Sequence, residues 1–317
     1  MIDPAAQHAS VPQPRKRGLF ASLSRRSQER AAFASTWQWC KFVCATTLAS
    51  KRTTGPKLAL RLANETHPIF VRLFTSDARV VKEVLVHREY DSLLPLLASK
   101  QRSAGDHASH AVPLVIDLGS NIGCSVRAWQ RWWPGAIIIA AEPDTRNHAL
   151  CEENAKGAQS SVCVHRVCVA DEPGQVTLDA SVGAWGITMQ RATTASPHNT
   201  QQIVEAITID QLLMRSEEHI RAACKKVDTP AQLPITLLKC DIEGAEAGIF
   251  EAAERHPPSW LARVELLAVE VHPPYSVSQF KAHLASASSK LGITFEVVGD
   301  EKAGGNALVF ARQMMPR

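Results

Sequence analysis

The sequence LVIDLGSNIG, residues 114–123, joins an almost entirely apolar run to a turn of small and flexible residues. Such an apolar run is typical of a strand that is buried on both faces of a sheet. Gly119 and Gly123 have no Cβ, so the backbone there can turn tightly and a ligand can approach closely. Amides at the start of the following helix can donate to a polar ligand group. The stretch therefore predicts a strand, a ligand-binding turn and a helix.

The same order recurs along the rest of the chain. Apolar runs alternate with segments of helical spacing, and these predicted strands cover residues 136–142, 161–170, 234–242 and 263–272. Two further runs at the C-terminal end, 294–299 and 306–312, predict a hairpin. Near-continuous apolar strands that alternate with helices are typical of a parallel sheet covered on both faces. Such sheets bind ligands beyond the carboxyl ends of their strands, so the functional residues are expected there.

The first predicted turn has the pattern D-x-G-x-N-x-G, formed by Asp117, Gly119, Asn121 and Gly123. It differs from the G-x-G-x-x-G pattern, which favours the pyrophosphate of a dinucleotide. A carboxylate at this strand end repels a pyrophosphate and suits a cationic ligand. An ordinary strand-to-helix turn is the alternative interpretation.

Glu142 ends the second predicted strand, 25 residues after Asp117. A carboxylate in this position can accept hydrogen bonds from both hydroxyls of a ribose, although Glu142 can also cap the next helix. A nucleoside with a positive charge and no pyrophosphate fits these features, and S-adenosylmethionine is such a ligand. Asp171, at the third strand end, can accept from an adenine amino group, or it forms a turn beside Pro173 and Gly174. The predicted cofactor-binding residues are Glu89, Asp117, Gly119, Ser120, Asn121, Gly123, Glu142, Pro143 and Asp171.

Ionisable residues crowd the end of the fourth predicted strand, in LLKCDIEGAE, residues 237–246. The four are Lys239, Asp241, Glu243 and Glu246. Carboxylates held close together tend to have separated pKa values, which general acid–base chemistry requires.

With these motifs the sequence resembles the FkbM family of S-adenosylmethionine-dependent methyltransferases. The resemblance spans roughly residues 68–275 and rests on an ordered set of blocks: VRLFTSD, REYD, VIDLGSNIG, AAEPDTRN, VADEPGQVTL, ITIDQLL, LLKCDIEGAE and LAVEVH. It implies an α/β fold of the class I methyltransferase (Rossmann-like) type, with a seven-stranded, mostly parallel sheet, an antiparallel C-terminal strand and helices on both faces. It also implies methylation of a hydroxyl group on a sugar or small natural product. The basic N-terminal region and a charged segment near 215–227 look like departures from the family.

Methyl transfer to a hydroxyl needs a group that takes the hydroxyl proton. The candidates at the ends of the fourth and fifth strands are Asp241, Glu243, Glu270 and His272. We expect Asp241 near the methionine end of the cofactor and His272 or Glu270 as the base. Lys239 either steadies a developing oxyanion or pairs with a neighbouring carboxylate. The prediction includes no metal, although Asp241, Glu270 and His272 can alternatively hold a divalent cation.

Three regions are predicted along the chain: a basic extension over 1–57, a cap or lid segment over 58–110 and the catalytic domain over 111–317. The first carries ten Lys or Arg and two acidic residues, which suits a disordered, helical or organelle-targeting extension. In the second, a lid over the cofactor is one interpretation of Arg72, Asp77, Glu89 and Tyr90. An Arg–Asp pair that joins the segment to the sheet is the other. A loop with Trp185 is a candidate wall of the acceptor pocket.

Eight cysteines, mostly in apolar runs and without zinc-type spacing, predict a reduced, cytoplasmic protein. A membrane anchor over 31–50 is a weaker alternative, because Lys41 lies within it. The expected partner is a small-molecule acceptor, and no nucleic acid is expected. Two other functions stay open. A nicotinamide-dependent dehydrogenase would need three close glycines in the first turn, and a non-catalytic protein would bind the cofactor only.

Overall fold

The structure is a computed structural model of the 317-residue chain. It describes residues 26–96, 112–157, 160–179, 188–191, 202–224, 233–303 and 306–314. The predictions for Trp185, for residues 1–25 and for part of the charged segment near 215–227 lie outside these residues.

A seven-stranded sheet forms the centre of the protein. From one edge to the other its strands are β12 (Thr294–Ala303), β13 (Asn306–Met314), β11 (Leu266–Val271), β10 (Leu237–Cys240), β3 (Leu114–Leu118), β4 (Ile137–Ala141) and β5 (Ser161–His165). β13 runs antiparallel to both of its neighbours, and the other pairs are parallel. This topology confirms the predicted class I methyltransferase fold, including the reversed C-terminal strand.

Helices cover both faces of this sheet. In chain order they are α1 (Thr36–Thr47), α2 (Asp77–Val80), α3 (Cys124–Trp132), α4 (Thr145–Asn154), α5 (Ile209–Arg215), α6 (Glu217–Ala223), α7 (Glu246–Arg255), α8 (Ser259–Arg263) and α9 (Val277–Lys290). Strand β3 shows how the two faces are filled, because successive side chains of a strand point to opposite faces. Ile116 belongs to a hydrophobic cluster with Phe250 and Phe280, whereas Val115 belongs to another with Trp129 and Leu150.

A second, four-stranded sheet adjoins the central one. Its strands, in spatial order, are β6 (Cys168–Val169), β9 (Gln202–Ile207), β7 (Gly174–Asp179) and β8 (Thr188–Arg191). The prediction of one strand over 161–170 is therefore wrong, because the chain leaves the central sheet after His165. Apolar residues stand on both sides of the break, and its sign in the sequence is a change of phase in their alternation between Val164 and Val167.

The N-terminal segment packs against the α3 and α4 side of the sheet. It contains a hairpin of β1 (Lys57–Leu60) and β2 (Ile69–Arg72), and beyond α2 a π-helical stretch (Val81–Val86) and a 3-10 helix (Glu89–Leu93). Phe33 and Phe42 lie buried in the same cluster as Trp129. In the described part of the chain, no helix has both the length and the apolar composition needed to cross a bilayer.

Candidate functional site

A cavity of about 280 Å³ opens at the carboxyl ends of β3, β4, β10 and β11. Its position agrees with the expectation for a parallel sheet. Most of the predicted site residues line it: Glu89, Gly119, Ser120, Asn121, Glu142, Pro143, Lys239, Asp241 and Glu270. Four others do not lie on its wall: Asp117, Gly123, Asp171 and His272.

Both glycines of the first turn are held in left-handed conformations by the protein's own packing. Gly119 has φ of +74°, and a Cβ there would lie 1.8 Å from the carbonyl oxygen of Asp241. Gly123 has φ of +84°, and a Cβ there would lie 3.1 Å from Sγ of Cys151. The missing Cβ thus admits a neighbouring strand end at one glycine and helix α4 at the other. Close approach of a ligand stays a prediction, and only Gly119 borders the cavity.

Asp117 lies beneath the turn with no exposed surface. Its Oδ2 accepts a 2.7 Å hydrogen bond from the indole Nε1 of Trp129, and its Oδ1 is 3.5 Å from Nζ of Lys239. The ammonium group of Lys239 is therefore the positive charge nearest to the Asp117 carboxylate among the ion pairs of the described residues. Because Lys239 offsets the charge of Asp117 and Asp117 does not border the cavity, its predicted contact with a cationic ligand stays a prediction.

Lys239 spans the gap between two acidic side chains. Its Nζ lies 3.3 Å from Oδ2 of Asp241 and donates to the carbonyl oxygens of Leu118 and Gly119 at 3.2 and 2.6 Å. Burial alone would lower the pKa of this ammonium, but Asp241 and Asp117 outweigh burial and the pKa is raised. Lys239 thus stays positively charged. Its contacts agree with the second interpretation, in which it pairs with neighbouring carboxylates.

Glu142 is fixed at the end of β4 by the backbone. Its Oε2 accepts from the amide of Asn121 at 2.9 Å and its Oε1 from the amide of Asp144 at 3.0 Å. Burial raises the pKa of Glu142 to about 7, against the lowering effect of these hydrogen bonds. The cap of α4 is Asp144, whose side chain accepts from Arg146 and Asn147 amides. Glu142 is therefore available to the cavity.

Glu270 faces the cavity from β11, and Asp241 and Glu243 lie on the same side. Its Oε1 accepts a 2.9 Å hydrogen bond from Nδ2 of Asn306. Burial, together with the charge of Asp241, raises the pKa of Glu270 to about 7. The same two causes raise the pKa of Glu243 to about 7. Both carboxyls thus titrate near neutrality, where a general base works best.

His272 lies behind these carboxylates. Its Nδ1 is 2.9 Å from Oε1 of Glu246, whose own side chain is fully buried. Burial alone would lower the pKa of His272, but the hydrogen bond to Glu246 and the nearby acidic charges raise it to about 9. Its Nε2 has no exposed surface and no hydrogen-bond partner. Of the two predicted bases, Glu270 is the one that can touch a ligand in this cavity.

The N-terminal segment closes the opposite wall with Val80, Val84, Glu89 and Tyr90. Burial, with the charge of Glu270 next, raises the pKa of Glu89 to about 8. Tyr90 packs against Trp129 with ring centroids 4.9 Å apart. The segment predicted to cap the cofactor thus forms part of the cavity.

Arg72 and Asp77 form a buried ion pair. The guanidinium donates to both carboxylate oxygens at 2.8 Å. The same guanidinium donates to Oδ1 of Asn147 at 2.6 Å, and Nδ2 of Asn147 lies 3.4 Å from Oε1 of Glu142. Through Asn147 the pair thus connects the N-terminal segment to the end of β4. This agrees with the second interpretation given above, an Arg–Asp pair that joins the segment to the sheet.

Asp171 lies against α7, since a Cβ on Gly248 would be 3.3 Å from its Cγ. Its predicted contact with adenine stays a prediction. Two residues that complete the site were not predicted, Asn147 and Asn306. Asn306 is the first residue of β13, and no local motif marks it as a partner of Glu270. Asn147 had a weak signal, because it stands in the first turn of the helix that follows Glu142.

Comparison with known proteins agrees with this architecture. Residues 117–291, more than half of the chain, match the methyltransferase FkbM domain. A 2-O-methyltransferase, NoeI of Sinorhizobium fredii, is 23% identical over 143 residues, which are 44% of this chain and 56% of that protein. This chain thus matches only about half the length of that relative.

Two solved structures show looser likeness. Trm5b from Pyrococcus abyssi has a TM-score of 0.34 at 10% identity, over 70% of this chain and 50% of that one. Magnesium protoporphyrin IX methyltransferase from Synechocystis, solved with bound S-adenosylmethionine, has a TM-score of 0.34 at 10% identity, over 70% and 76% of the two chains. The domain match, which covers the turn after β3 and the acidic residues at the ends of β10 and β11, establishes the family: this chain belongs to the FkbM methyltransferases.

Proposed function

We propose that this protein transfers a methyl group from S-adenosylmethionine to a hydroxyl group of a sugar or another small metabolite. The observation that carries the proposal is the placement of Glu142 and Glu270 on one cavity. Glu142, held by two backbone amides, is suited to a ribose. Glu270 has a pKa of about 7 and is suited to removing a hydroxyl proton.

The cavity residues fit the proposed cofactor. Glu142 would accept from the ribose hydroxyls, and the apolar residues Val167 and Val169 would contact the adenine. Asp241, which is 26% exposed, would face the positively charged methionine end. When bound, S-adenosylmethionine supplies an electrophilic methyl group, so the difficult chemistry belongs to the cofactor.

The protein's own residues then position the acceptor and move its proton. Glu270 would take the proton of the acceptor hydroxyl, which would leave that oxygen able to accept the methyl group that the cofactor supplies. Holding the two reactants in line can supply about 7–11 kcal/mol of the barrier. NoeI is a 2-O-methyltransferase, and this likeness supports oxygen as the atom that is methylated.

Alanine in place of Glu142 should weaken S-adenosylmethionine binding at least tenfold, because the ribose loses its acceptor. Isothermal titration calorimetry of the purified chain measures this change. The matched control is Glu152→Ala, which removes a carboxylate from the exposed side of the following helix and should leave the Kd unchanged. Equal affinities of Glu142→Ala and the parent protein would refute the ribose assignment.

S-adenosylmethionine should bind more tightly at pH 8 than at pH 6. The pKa of Glu142 is raised to about 7, so the carboxyl is mostly protonated at pH 6 and mostly ionised at pH 8. The ionised form accepts both hydroxyls, so the affinity should rise by about tenfold across this range. Glu142→Gln should lose that part of the dependence, and an unchanged pH profile in this variant would contradict the assignment.

The acceptor is identified by label transfer. The protein is incubated with S-adenosylmethionine that carries an isotopically labelled methyl group, together with a panel of sugars and a small-metabolite extract. The labelled product is then identified by mass spectrometry. A label on a sugar hydroxyl supports the proposal, whereas a label on nitrogen would overturn the O-methylation part. Binding of the cofactor with no transfer to any acceptor would favour a non-catalytic role.

A further inference from the structure

His272 turns an unpaired ring nitrogen toward carboxylates at the carboxyl edge of the sheet. Its side chain is 8% exposed, and Nε2 has no hydrogen-bond partner. Oδ1 of Asp241 lies 3.7 Å from this nitrogen and Oε2 of Glu243 lies 3.5 Å from it. Both separations are longer than the roughly 2.7–3.2 Å of a hydrogen bond. The three groups therefore surround a common point without bonding to one another.

From this geometry we propose that Asp241, Glu243 and His272 bind one divalent transition-metal ion beside the cavity. Two ligand atoms at about 2.1 Å from one ion, at an angle of roughly 110–120°, are about 3.4–3.6 Å apart. The separations from Nε2 are close to this value, and all three ligand atoms lie within 4.8 Å of one another. Small side-chain adjustments therefore suffice to complete the site.

Glu246 prepares the ring of His272 for this role. It holds Nδ1 at 2.9 Å and itself accepts from the amides of Ile242 and Gly244 at 2.9 and 2.8 Å. Glu246 accepts the Nδ1 proton, so Nε2 is the ring nitrogen that faces the two carboxylates, and an ion that binds there would displace the Nε2 proton. Metal-binding histidines commonly donate their other nitrogen to a carboxylate in this way.

The charge around this point favours a cation. Among the described residues at this edge of the sheet, the acidic side chains outnumber the basic ones, Lys239 and His272. The acidic side chains that lie within 4 Å of Lys239 or His272 are Asp117, Asp241, Glu243, Glu246 and Glu270. Lys239 is occupied by the carbonyl oxygens after β3 and by two carboxylates. A divalent ion would offset the remaining negative charge.

The donor set also indicates which ion. One imidazole nitrogen and two carboxylate oxygens suit ions such as Mn²⁺, Fe²⁺ or Zn²⁺ better than the oxygen-preferring Mg²⁺ and Ca²⁺. The metal set considered from the sequence contained Glu270 instead of Glu243. Oε1 of Glu270 is 3.7 Å from Nε2 of His272, but it accepts a hydrogen bond from Asn306. We therefore leave Glu270 out of the metal site and keep it as the base.

A role for the ion in catalysis rests on the proposed function, whereas its binding does not. Asp241 and Glu243 border the cavity, so an ion held by them would present its open positions to the acceptor. Coordination of the acceptor hydroxyl would lower its pKa, and Glu270 would take the released proton.

The test is a Mn²⁺ titration of the full chain, stripped with a chelator, with no cofactor or acceptor present. The electron paramagnetic resonance signal of free Mn²⁺ reports binding. The titration is run at pH 8, because protons compete with the ion for Nε2. We expect one saturable site per chain, and at least tenfold weaker binding by Asp241→Asn and by Glu243→Gln.

The matched control is His148→Ala. Nδ1 of His148 also lies 3.7 Å from a carboxylate oxygen, that of Glu152, but among the described residues no second carboxylate forms an ion pair with His148. This variant should bind Mn²⁺ as the parent does. If Asp241→Asn fails to fold, Glu243→Gln decides alone, because the Glu243 side chain is 30% exposed. Absence of saturable binding, or equal affinity in Glu243→Gln, overturns the site. Mn²⁺ binding without any binding of S-adenosylmethionine would instead contradict the proposed function.

Discussion

Glutamine in place of Glu270 is expected to lower kcat for methyl transfer by a factor of about 100 to 10,000, the usual contribution of a general base. Glutamine keeps the size of the side chain and the carbonyl oxygen that accepts from Asn306. The cavity should therefore keep its shape, and the Kd for S-adenosylmethionine should change less than threefold. Initial rates are measured with the acceptor that the label-transfer experiment identifies.

The pH profile of kcat distinguishes the two predicted bases. The pKa of Glu270 is about 7, so kcat of the parent should rise as pH increases through 7 and then level off. If His272 were the base, the rise would lie near pH 9, where its pKa is. Glu270→Gln should lose the rise near pH 7. Glu296→Gln, a surface variant on β12, is the control and should keep the parent's kcat and profile. An undiminished kcat in Glu270→Gln would remove Glu270 from the mechanism.

The central sheet could be predicted from the sequence because its strands are short apolar runs separated by helical periods. β3 and β4 are fully buried along their whole length, and this burial produces the continuous apolar pattern. The break between β5 and β6 could not be predicted in this way. Valines stand on both sides of the break, at 164 in the central sheet and at 167 and 169 beyond it, and only the phase of their alternation changes between Val164 and Val167.

The cavity-lining residues at the ends of β3 and β4 were easier to predict than the state of the carboxylates around them. Glu142 and the turn after β3 can be recognised in the sequence because they directly follow apolar strands. In this fold the carboxyl ends of the parallel strands border the cavity. The state of a carboxylate depends on tertiary neighbours instead. Asp117 is marked in the sequence as strongly as Glu142, yet it faces Trp129 and Lys239 within the protein. Asn306 is contributed by β13, far away along the chain.

Methionine in place of Arg72 is expected to lower the free energy of unfolding by about 3–5 kcal/mol, the usual cost of removing one partner of a buried ion pair. Asp77 is 1% exposed, and both of its carboxylate oxygens accept from the Arg72 guanidinium. In the variant the Asp77 carboxylate stays buried, and residue 72 donates only its backbone N–H to it. Urea denaturation monitored by circular dichroism measures the change.

An exposed ion pair supplies the control for burial. Lys57 lies 2.9 Å from Glu153, but its side chain is 57% exposed, so Lys57→Met should cost less than about 1 kcal/mol. A second substitution tests the cause. Adding Asp77→Asn to Arg72→Met removes the buried charge and keeps an oxygen for the backbone amide, so part of the lost stability should return. If it does not return, the loss comes from the apolar stem of Arg72 or from its bond to Asn147.

The bond to Asn147 extends the consequence to the cofactor. Arg72 donates to Asn147, and Nδ2 of Asn147 lies 3.4 Å from Oε1 of Glu142, so the ion pair and the carboxylate proposed to bind the ribose share one neighbour. Arg72→Met should therefore weaken S-adenosylmethionine binding even at a temperature where the variant is fully folded, whereas Lys57→Met should not. Because Asp77→Asn restores charge balance without restoring the bond to Asn147, the double variant should regain stability and still bind the cofactor weakly. Recovery of both together would mean that cofactor binding depends on the stability of the N-terminal segment and not on the position of Asn147.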